Sequence, residues 1–161
     1  MILKLKNSDL LAILDDNPND YIIKKPWSLQ KNGYVTRTIY LGKINGKYAN
    51  KTEYLHRLIL NPDFSLQVDH IDGNKLNNKI SNLRICTNQE NNRNTKSRRG
   101  STSKYKGVCW DSSAKTWLAQ ICIGNNKHIR IGRFSCEIEA AKAYDNEAKK
   151  HFGDFCYLNF R

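Results

Sequence analysis

The chain has 161 residues, of which 39% are hydrophobic, and a formal net charge of +12. This length allows one ordinary domain or two small ones, and the charge favours a polyanionic partner, above all nucleic acid. No apolar run is long enough to span a bilayer, and the N-terminal sequence MILKLKNSDLLAIL lacks the apolar core and cleavage site of a signal peptide. A cytoplasmic protein is therefore expected.

The first half is predicted to be β-rich. Two Asn-Gly pairs, in KNGY (31–34) and INGK (44–47), are strong hairpin signals, and YVTRTIYLG between them has the composition of a strand. The segment NKTEYLHRLIL (50–60) has apolar residues at helical spacing and predicts a helix that ends at Asn61-Pro62.

The next elements are predicted in the order strand, loop, strand, helix. SLQVDH (65–70) is a short strand that ends at His70, and a polar loop leads to the second strand, SNLRICT (81–87). The T-x-x-E sequence that starts at Thr87 forms a capping box, so a helix should begin near Asn88.

A basic segment follows this helix. Residues 91–106 contain six Lys and Arg and no acidic residue, and the Gly and Ser residues in the middle favour flexibility. We therefore predict a first domain at 1–96, a linker at 97–104 and a second domain at 105–161. The basic side chains are predicted to contact DNA phosphates, with a solvated linker as the alternative. They are Arg93, Lys96, Arg98, Arg99, Lys104 and Lys106.

The C-terminal part predicts an antiparallel sheet that packs on one helix. YKGVCW, WLAQICI and HIRIGRF are three short strands, and EIEAAKAYDNEAKKHF (137–152) is a helix that Ser135 caps and Gly153 ends. A stripe at helical spacing should face the sheet. It consists of Ile138, Ala141, Tyr144, Ala148 and Phe152. The other sheet face is polar and suits a DNA groove.

The five cysteines are odd in number, widely spaced and form no C-x-x-C pair. This pattern predicts reduced, mostly buried thiols and no zinc site. They are Cys86, Cys109, Cys122, Cys136 and Cys156.

Asp69 and His70 are the candidate catalytic pair. A carboxylate is a suitable ligand for a hard cation, and a neutral imidazole can accept a proton from water. Neighbours in a regular strand point to opposite faces, so the two converge on one phosphate only if the strand ends there. An Asp-His pair is by itself a weak signal.

The segment VDHIDGNKLNNKISNLRICTNQEN (68–91), with HRLIL upstream, resembles the HNH motif of phage and intron-encoded homing endonucleases. The resemblance implies a ββα-metal fold, with a core at about 66–96, and His70 as general base. It also implies that Asn82 positions the catalytic loop and the histidine, and that Asp69 and Asn91 bind the metal. The expected metal is magnesium, with manganese as the alternative.

Several nearby residues have ordinary structural explanations. His56 is expected to be a packed helix residue, and Asn77 and Asn78 are expected to be loop formers. Arg57 and Arg84 have two open interpretations, a phosphate clamp or a surface or salt-bridge role.

The segment from Lys104 to Phe160 resembles the APETALA-two (ethylene-response-factor) DNA-binding domain, through its Tyr-x-Gly-Val start, AAKAYD and the final LNF. The family binds the major groove with its three-stranded sheet. Its contact positions fall on Lys106, Gln120, His128 and Arg130, which suit DNA. Two other family positions, occupied by arginine there, are Cys109 and Cys122 here, so the plant recognition sequence is not expected.

Together these features predict an α+β protein, in which an N-terminal ββα-metal nuclease domain precedes a small three-stranded antiparallel sheet packed on one helix. The predicted function is a magnesium-dependent homing endonuclease that acts as a monomer on double-stranded DNA, without a membrane, in a bacterial or phage-infected host cell. One alternative is a DNA-binding regulator with an inactive nuclease half. Another is an RNA-binding basic protein, which would expose stacking aromatic residues on a sheet.

Overall fold

The computed structural model describes residues 1–97, 100–124 and 127–160. The chain divides into two compact units, residues 1–87 and 88–161. Both are built from small antiparallel sheets and few helices, so the mixed α and β composition is confirmed. Within the described residues, no helix combines the length and the apolar character that crossing a membrane requires.

The first unit begins with a hairpin that the sequence analysis did not predict. Strand β1 (Ile2–Leu5) pairs antiparallel with β2 (Ser8–Ile13). Alternate residues of β1 are buried, and Leu3 and Leu5 join a core that contains Trp27. The indole Nε1 of Trp27 donates to the backbone oxygen of Ile22, 2.8 Å away, so the polar atom of this buried ring is satisfied.

A short helix, α1 (Asp20–Ile23), leads to a three-stranded sheet. Its strands are β3 (Ser28–Leu29), β4 (Val35–Ile44) and β5 (Lys47–Tyr54), in that order. The turn between β4 and β5 is Asn45-Gly46, and both residues have positive φ, 51° and 76°. This hairpin prediction is confirmed, because Asn and Gly tolerate that conformation.

The predicted helix at 50–60 is wrong in its first half. Residues 50–54 belong to β5, and helix α2 spans only Leu55–Leu60. Cross-strand pairing decides the outcome, since Glu53 lies opposite Arg37 of β4 and forms an ion pair with it at 2.8 Å. The predicted end is confirmed, because Asn61 adopts a left-handed conformation after the last helical residue.

The two strands around the polar loop are confirmed. Strand β6 (Gln67–His70) ends at the predicted histidine, and β7 (Leu83–Cys86) pairs with it antiparallel. A 3₁₀ turn, Ile80–Asn82, replaces the first residues of the predicted second strand.

The second unit opens with the short helix α3 (Asn88–Arg93). Its sheet has the order β10-β9-β8, formed by β8 (Val108–Asp111), β9 (Thr116–Gly124) and β10 (Lys127–Phe134). Helix α4 (Glu137–Phe152) packs on this sheet and ends at Gly153. The three strands and the helix are therefore confirmed, while residues 125 and 126, between β9 and β10, lie outside the described residues.

Two details of α4 differ from expectation. The residue at the N-cap is Cys136, without a side-chain hydrogen bond, so Ser135 stands one position too early to cap the helix. Ile138 is exposed, whereas Ala140 is buried against the sheet. Ile138 lies in the first turn of α4, at the margin of the buried stripe.

The cysteine prediction is partly wrong. None of the five forms a disulfide, but Cys86 alone is buried, while Cys109 and Cys156 are half-buried. Cys122 and Cys136 are exposed, because one lies on the sheet face opposite α4 and the other at a helix N-cap.

Candidate active site and DNA-binding surface

The β6–β7 pair presents Asp69 and His70 at its end. Asp69 lies opposite Arg84, and His70 lies opposite Leu83, so the two side chains leave the strand on opposite faces. Both residues are buried, with 6% and 4% of their surface exposed.

Asp69 is held by an arginine. Its Oδ2 accepts from Nη2 of Arg84 at 2.6 Å and from Nε at 2.9 Å. Both side chains are largely buried, so each charge offsets part of the other's desolvation cost. Of the two interpretations of Arg84, the structure therefore shows the salt bridge, and the carboxylate of Asp69 is fixed in one orientation.

His70 belongs to an aromatic cluster. Its ring centroid lies 5.2 Å from that of His56 and 6.1 Å from that of Tyr34. Burial lowers the pKa of His70, although the hydrogen bond with Asn78 opposes this shift. Burial, reinforced by the charge of His70, lowers the pKa of His56 to about 3. Both imidazoles are therefore neutral at pH 7, the form in which a histidine can accept a proton.

Asn78 orients the imidazole of His70. Its Oδ1 lies 3.4 Å from His70 Nε2, and its Nδ2 donates to the backbone oxygen of Lys75 at 3.2 Å. Because Oδ1 is then the acceptor, Nε2 carries the hydrogen in the neutral ring and Nδ1 is the basic nitrogen. The interpretation of Asn78 as a loop former missed this role. In an Asn-rich loop, no local signal distinguishes the one asparagine that is buried.

Asn82 joins the two ends of the loop. Its Oδ1 accepts from the backbone nitrogen of Asp72 at 3.0 Å, and its Nδ2 donates to Asp72 Oδ1 at 2.9 Å and to the backbone oxygen of Asn77 at 2.7 Å. Its own backbone oxygen accepts from Ile71 at 2.8 Å. The side chain thus holds the loop that follows His70 in one shape.

The loop is also held by the N-terminal hairpin. Ile13 of β2 donates to the backbone oxygen of Leu76 and accepts from the backbone nitrogen of Asn78, both at 2.8 Å. The Oδ2 of Asp15 accepts from the backbone nitrogen of Ile80 at 2.7 Å. The backbone of Asn78, and with it the partner of His70, is therefore fixed by residues far away in sequence.

Asn91, the predicted second metal ligand, lies in α3 and is partly exposed. Whether these residues suit a metal ion is judged from the kind of donor atoms they offer. Within the described residues, no group of three His, Cys, Asp or Glu side chains could hold an ion. A carboxylate with amide oxygens instead suits magnesium, which keeps several waters and takes few protein ligands.

The predicted DNA-binding residues of the second unit lie partly around one cleft of about 760 Å³. Its lining includes Arg93, Lys96, Lys106, Gln120 and His128. The cleft joins the open sheet face to α3 and to the basic segment, so it carries both positive charge and groups that can contact base edges.

The other predicted contacts are placed separately. Lys104 and Arg130 are exposed, while Arg98 and Arg99 lie outside the described residues. Arg93 and Lys106 of the cleft also have partners within the protein. The guanidinium of Arg93 lies 4.4 Å from the ring centre of Phe152, and Nζ of Lys106 donates to the backbone oxygen of Arg93 at 2.6 Å.

Comparison with known proteins identifies two families. The HNH endonuclease family profile matches residues 53–93, which contain β6, β7 and α3, and the AP2 domain profile matches residues 103–153. The chain is 33% identical over 140 residues, 86% of its own length and 68% of the relative's, to an uncharacterized HNH endonuclease of Acanthamoeba polyphaga mimivirus. The chain belongs to the HNH endonuclease family. Both family resemblances found in the sequence are confirmed.

Two further relatives of this HNH family member are viral. Protein 3.8 of Escherichia phage T7 is 36% identical over 73 residues, which are 45% of this chain and 60% of that protein. A second uncharacterized HNH endonuclease of the same mimivirus is 36% identical over 89 residues, which are 47% of this chain and 27% of that protein. The chain therefore spans less than two thirds of the length of these two relatives.

Proposed function

We propose that the chain is a magnesium-dependent endonuclease that hydrolyses phosphodiester bonds in double-stranded DNA, with His70 as the general base. The observation that carries the proposal is the environment of His70. A buried imidazole with a lowered pKa stands at the end of β6, and a buried asparagine faces its Nε2 at 3.4 Å. Nδ1 then accepts the proton of the attacking water.

The loop and its anchors support this chemistry by preorganisation. Asn82 fixes the loop through Asp72 and Asn77, and Asn78 fixes the tautomer of His70. A base that is already oriented needs no reorganisation when the water approaches the phosphate. In a ββα-metal arrangement, α3 would follow β7 and bring Asn91 to the site.

Asp69 and Asn91 would hold the magnesium ion, and manganese has the same preference for oxygen ligands. The bound cation would neutralise charge on the phosphate and on the leaving oxygen. Arg84 would keep the carboxylate of Asp69 oriented, in the way that outer partners orient metal ligands.

The AP2 domain would locate the cleavage site. Gln120, His128 and Arg130 would contact base edges, and the basic residues around α3 would contact phosphates. A nuclease with its own recognition domain is suited to homing, and its viral relatives fit that role.

A DNA-binding regulator with an inactive nuclease half is the second candidate. The observation that favours it is the ion pair of Asp69, because an arginine already binds Oδ2 of the carboxylate. Incubation of supercoiled plasmid with the protein, in magnesium or in EDTA, separates the two candidates. We expect nicked or linear product in magnesium only.

His70→Ala should lower the single-turnover rate by about 10²–10⁴-fold, the usual contribution of general-base catalysis, with DNA affinity unchanged. The matched control is His151→Ala, since this histidine lies in the last turn of α4 and should leave the rate unchanged. If His70→Ala cuts at the wild-type rate, the proposed mechanism is wrong.

A further inference from the structure

The outer half of the β4–β5 hairpin, residues 38–52, forms a two-stranded ribbon to which the proposed function assigns no role. At its base, Val35, Thr36 and Arg37 are buried in the first unit. Beyond them the large side chains are exposed. Tyr40 is 58% exposed and Tyr48 71% exposed, and Leu41 and Ile44 are exposed as well. An exposed cluster of this kind indicates an interaction surface.

The positive charge of the ribbon favours a polyanionic partner. Its sequence, TIYLGKINGKYANKT, contains Lys43, Lys47 and Lys51 and no acidic residue. Exposed tyrosines mixed with lysines suit a polyanion with aromatic and polar groups in its grooves, rather than an apolar protein surface.

The two faces of the ribbon differ. On one face the rings of Tyr40 and Tyr48 lie 5.9 Å apart, and Nζ of Lys43 lies 5.0 Å from the ring centre of Tyr48. Asn50 is paired with Tyr40, so its amide points to this same face. Lys47 and Lys51 follow the alternate positions of β5 and so point to the other face. One face thus carries the two tyrosines, Asn50 and Lys43, and the other face carries Lys47 and Lys51.

The dimensions of the ribbon also fit DNA. From Arg37 to Ile44, seven residues at about 3.4 Å each extend roughly 24 Å from the core. The major groove is about 12 Å wide and admits a two-stranded β-ribbon.

We propose that the β-ribbon of residues 38–52 enters the major groove of double-stranded DNA, with its lysines on phosphates and the face of Tyr40, Tyr48 and Asn50 toward the base edges. This inference rests on the proposed function and adds a second DNA contact to it. The ribbon lies outside both matched segments, 53–93 and 103–153.

The test measures DNA binding without cleavage. A triple variant, Lys43→Gln with Lys47→Gln and Lys51→Gln, is compared with the unchanged ribbon, both in a His70→Ala background and in EDTA. Affinity for a fluorescein-labelled DNA duplex of mixed sequence is measured over a series of salt concentrations. The slope of log affinity against log salt should become shallower by about 0.9 for each lysine that contacts a phosphate.

The matched control removes the same charge elsewhere. Lys142, Lys149 and Lys150 are exposed on α4, so their change to Gln lowers the net charge equally. We expect this control to keep the slope. An equal loss in both triple variants would mean that only overall charge matters and would overturn the proposal.

The tyrosines provide a second measurement. Tyr40→Ala with Tyr48→Ala should weaken binding at high salt as well, because the lost contacts are not ionic. Both side chains are exposed, and circular dichroism should show an unchanged fold. If the triple lysine variant fails to fold, the three single variants give the slope instead.

Other outcomes identify other partners. Equal or tighter binding of an RNA duplex, lost in the same variants, would overturn the assignment to DNA. Concentration-dependent dimers that disappear with the tyrosine variant, at unchanged DNA affinity, would make the ribbon a contact between two copies. If the wild-type protein does not cut plasmid, but the triple lysine variant shows the expected change in salt slope, the nuclease proposal is refuted and the proposed DNA contact of the ribbon still stands.

Discussion

Replacement of Asn78 by leucine is the most direct test of the oriented histidine. The change keeps the approximate volume but removes the oxygen that faces His70 Nε2 and the nitrogen that donates to Lys75. A hydrogen bond of this kind contributes about 0.5–1.5 kcal/mol net. At about 1.36 kcal/mol per tenfold change, the cleavage rate should fall about 2- to 13-fold.

Single-turnover cleavage and DNA affinity should be measured on the same protein. The rate should fall while the dissociation constant stays the same, because the buried amide does not contact DNA in this mechanism. Asn78→Asp keeps an oxygen acceptor and should retain more activity than Asn78→Leu. The reasoning is refuted if a folded Asn78→Leu protein cuts at the wild-type rate, or if the entire defect lies in DNA affinity.

Three further outcomes are expected. The pKa of His56 is about 3 in the folded protein, so between about pH 6.5 and pH 3 the unfolded chain binds one proton more than the folded chain. The free energy of unfolding, measured in urea, should therefore decrease as the pH falls from about 6.5 toward 3. The decrease should be less steep in His56→Leu. Gly107→Ala should cost about 2–5 kcal/mol in the same assay, because φ is +76° and the new Cβ would lie 1.9 Å from the ring of Tyr144. The cleavage defect of Asp69→Ala should recover partly at high magnesium, as a lost metal ligand predicts, whereas that of His70→Ala should not. The argument for His56 is contradicted if stability does not depend on pH, and that for Gly107 if the urea midpoint of Gly107→Ala is unchanged. The argument for Asp69 is contradicted if magnesium does not relieve the defect of Asp69→Ala.

The sequence predicted those elements whose cause is local. Asn45-Gly46 determines its turn by the positive φ of both residues, and the alternation in β9 places Ala119 and Ile121 against α4. The β1–β2 hairpin was missed, although Leu3 and Leu5 alternate with exposed lysines. The alternation of β1 covers only four residues, which is a short signal for a strand.

In the candidate site, too, some residues can be predicted from the sequence and others cannot. His70 and Asn82 follow from the spacing of a family motif, and the structure places both at the loop. The residues that hold the loop from outside carry no such signal. Asp15 accepts from Ile80 across a separation of 65 residues, which no local pattern reveals.

Lys106 shows why a position in a family pattern does not fix the role of its side chain. The resemblance assigns it to the DNA-contacting sheet, but its Nζ donates to the backbone oxygen of Arg93, at the C-terminal end of α3. Burial lowers the pKa of Lys106 to about 8, so at pH 7 the side chain is still mostly charged and interacts favourably with the helix end. The two roles differ in salt response. If Lys106 binds a phosphate, Lys106→Gln should reduce the salt slope by about 0.9. If it holds α3, the slope should stay the same and the cleavage rate should fall, because α3 carries Asn91.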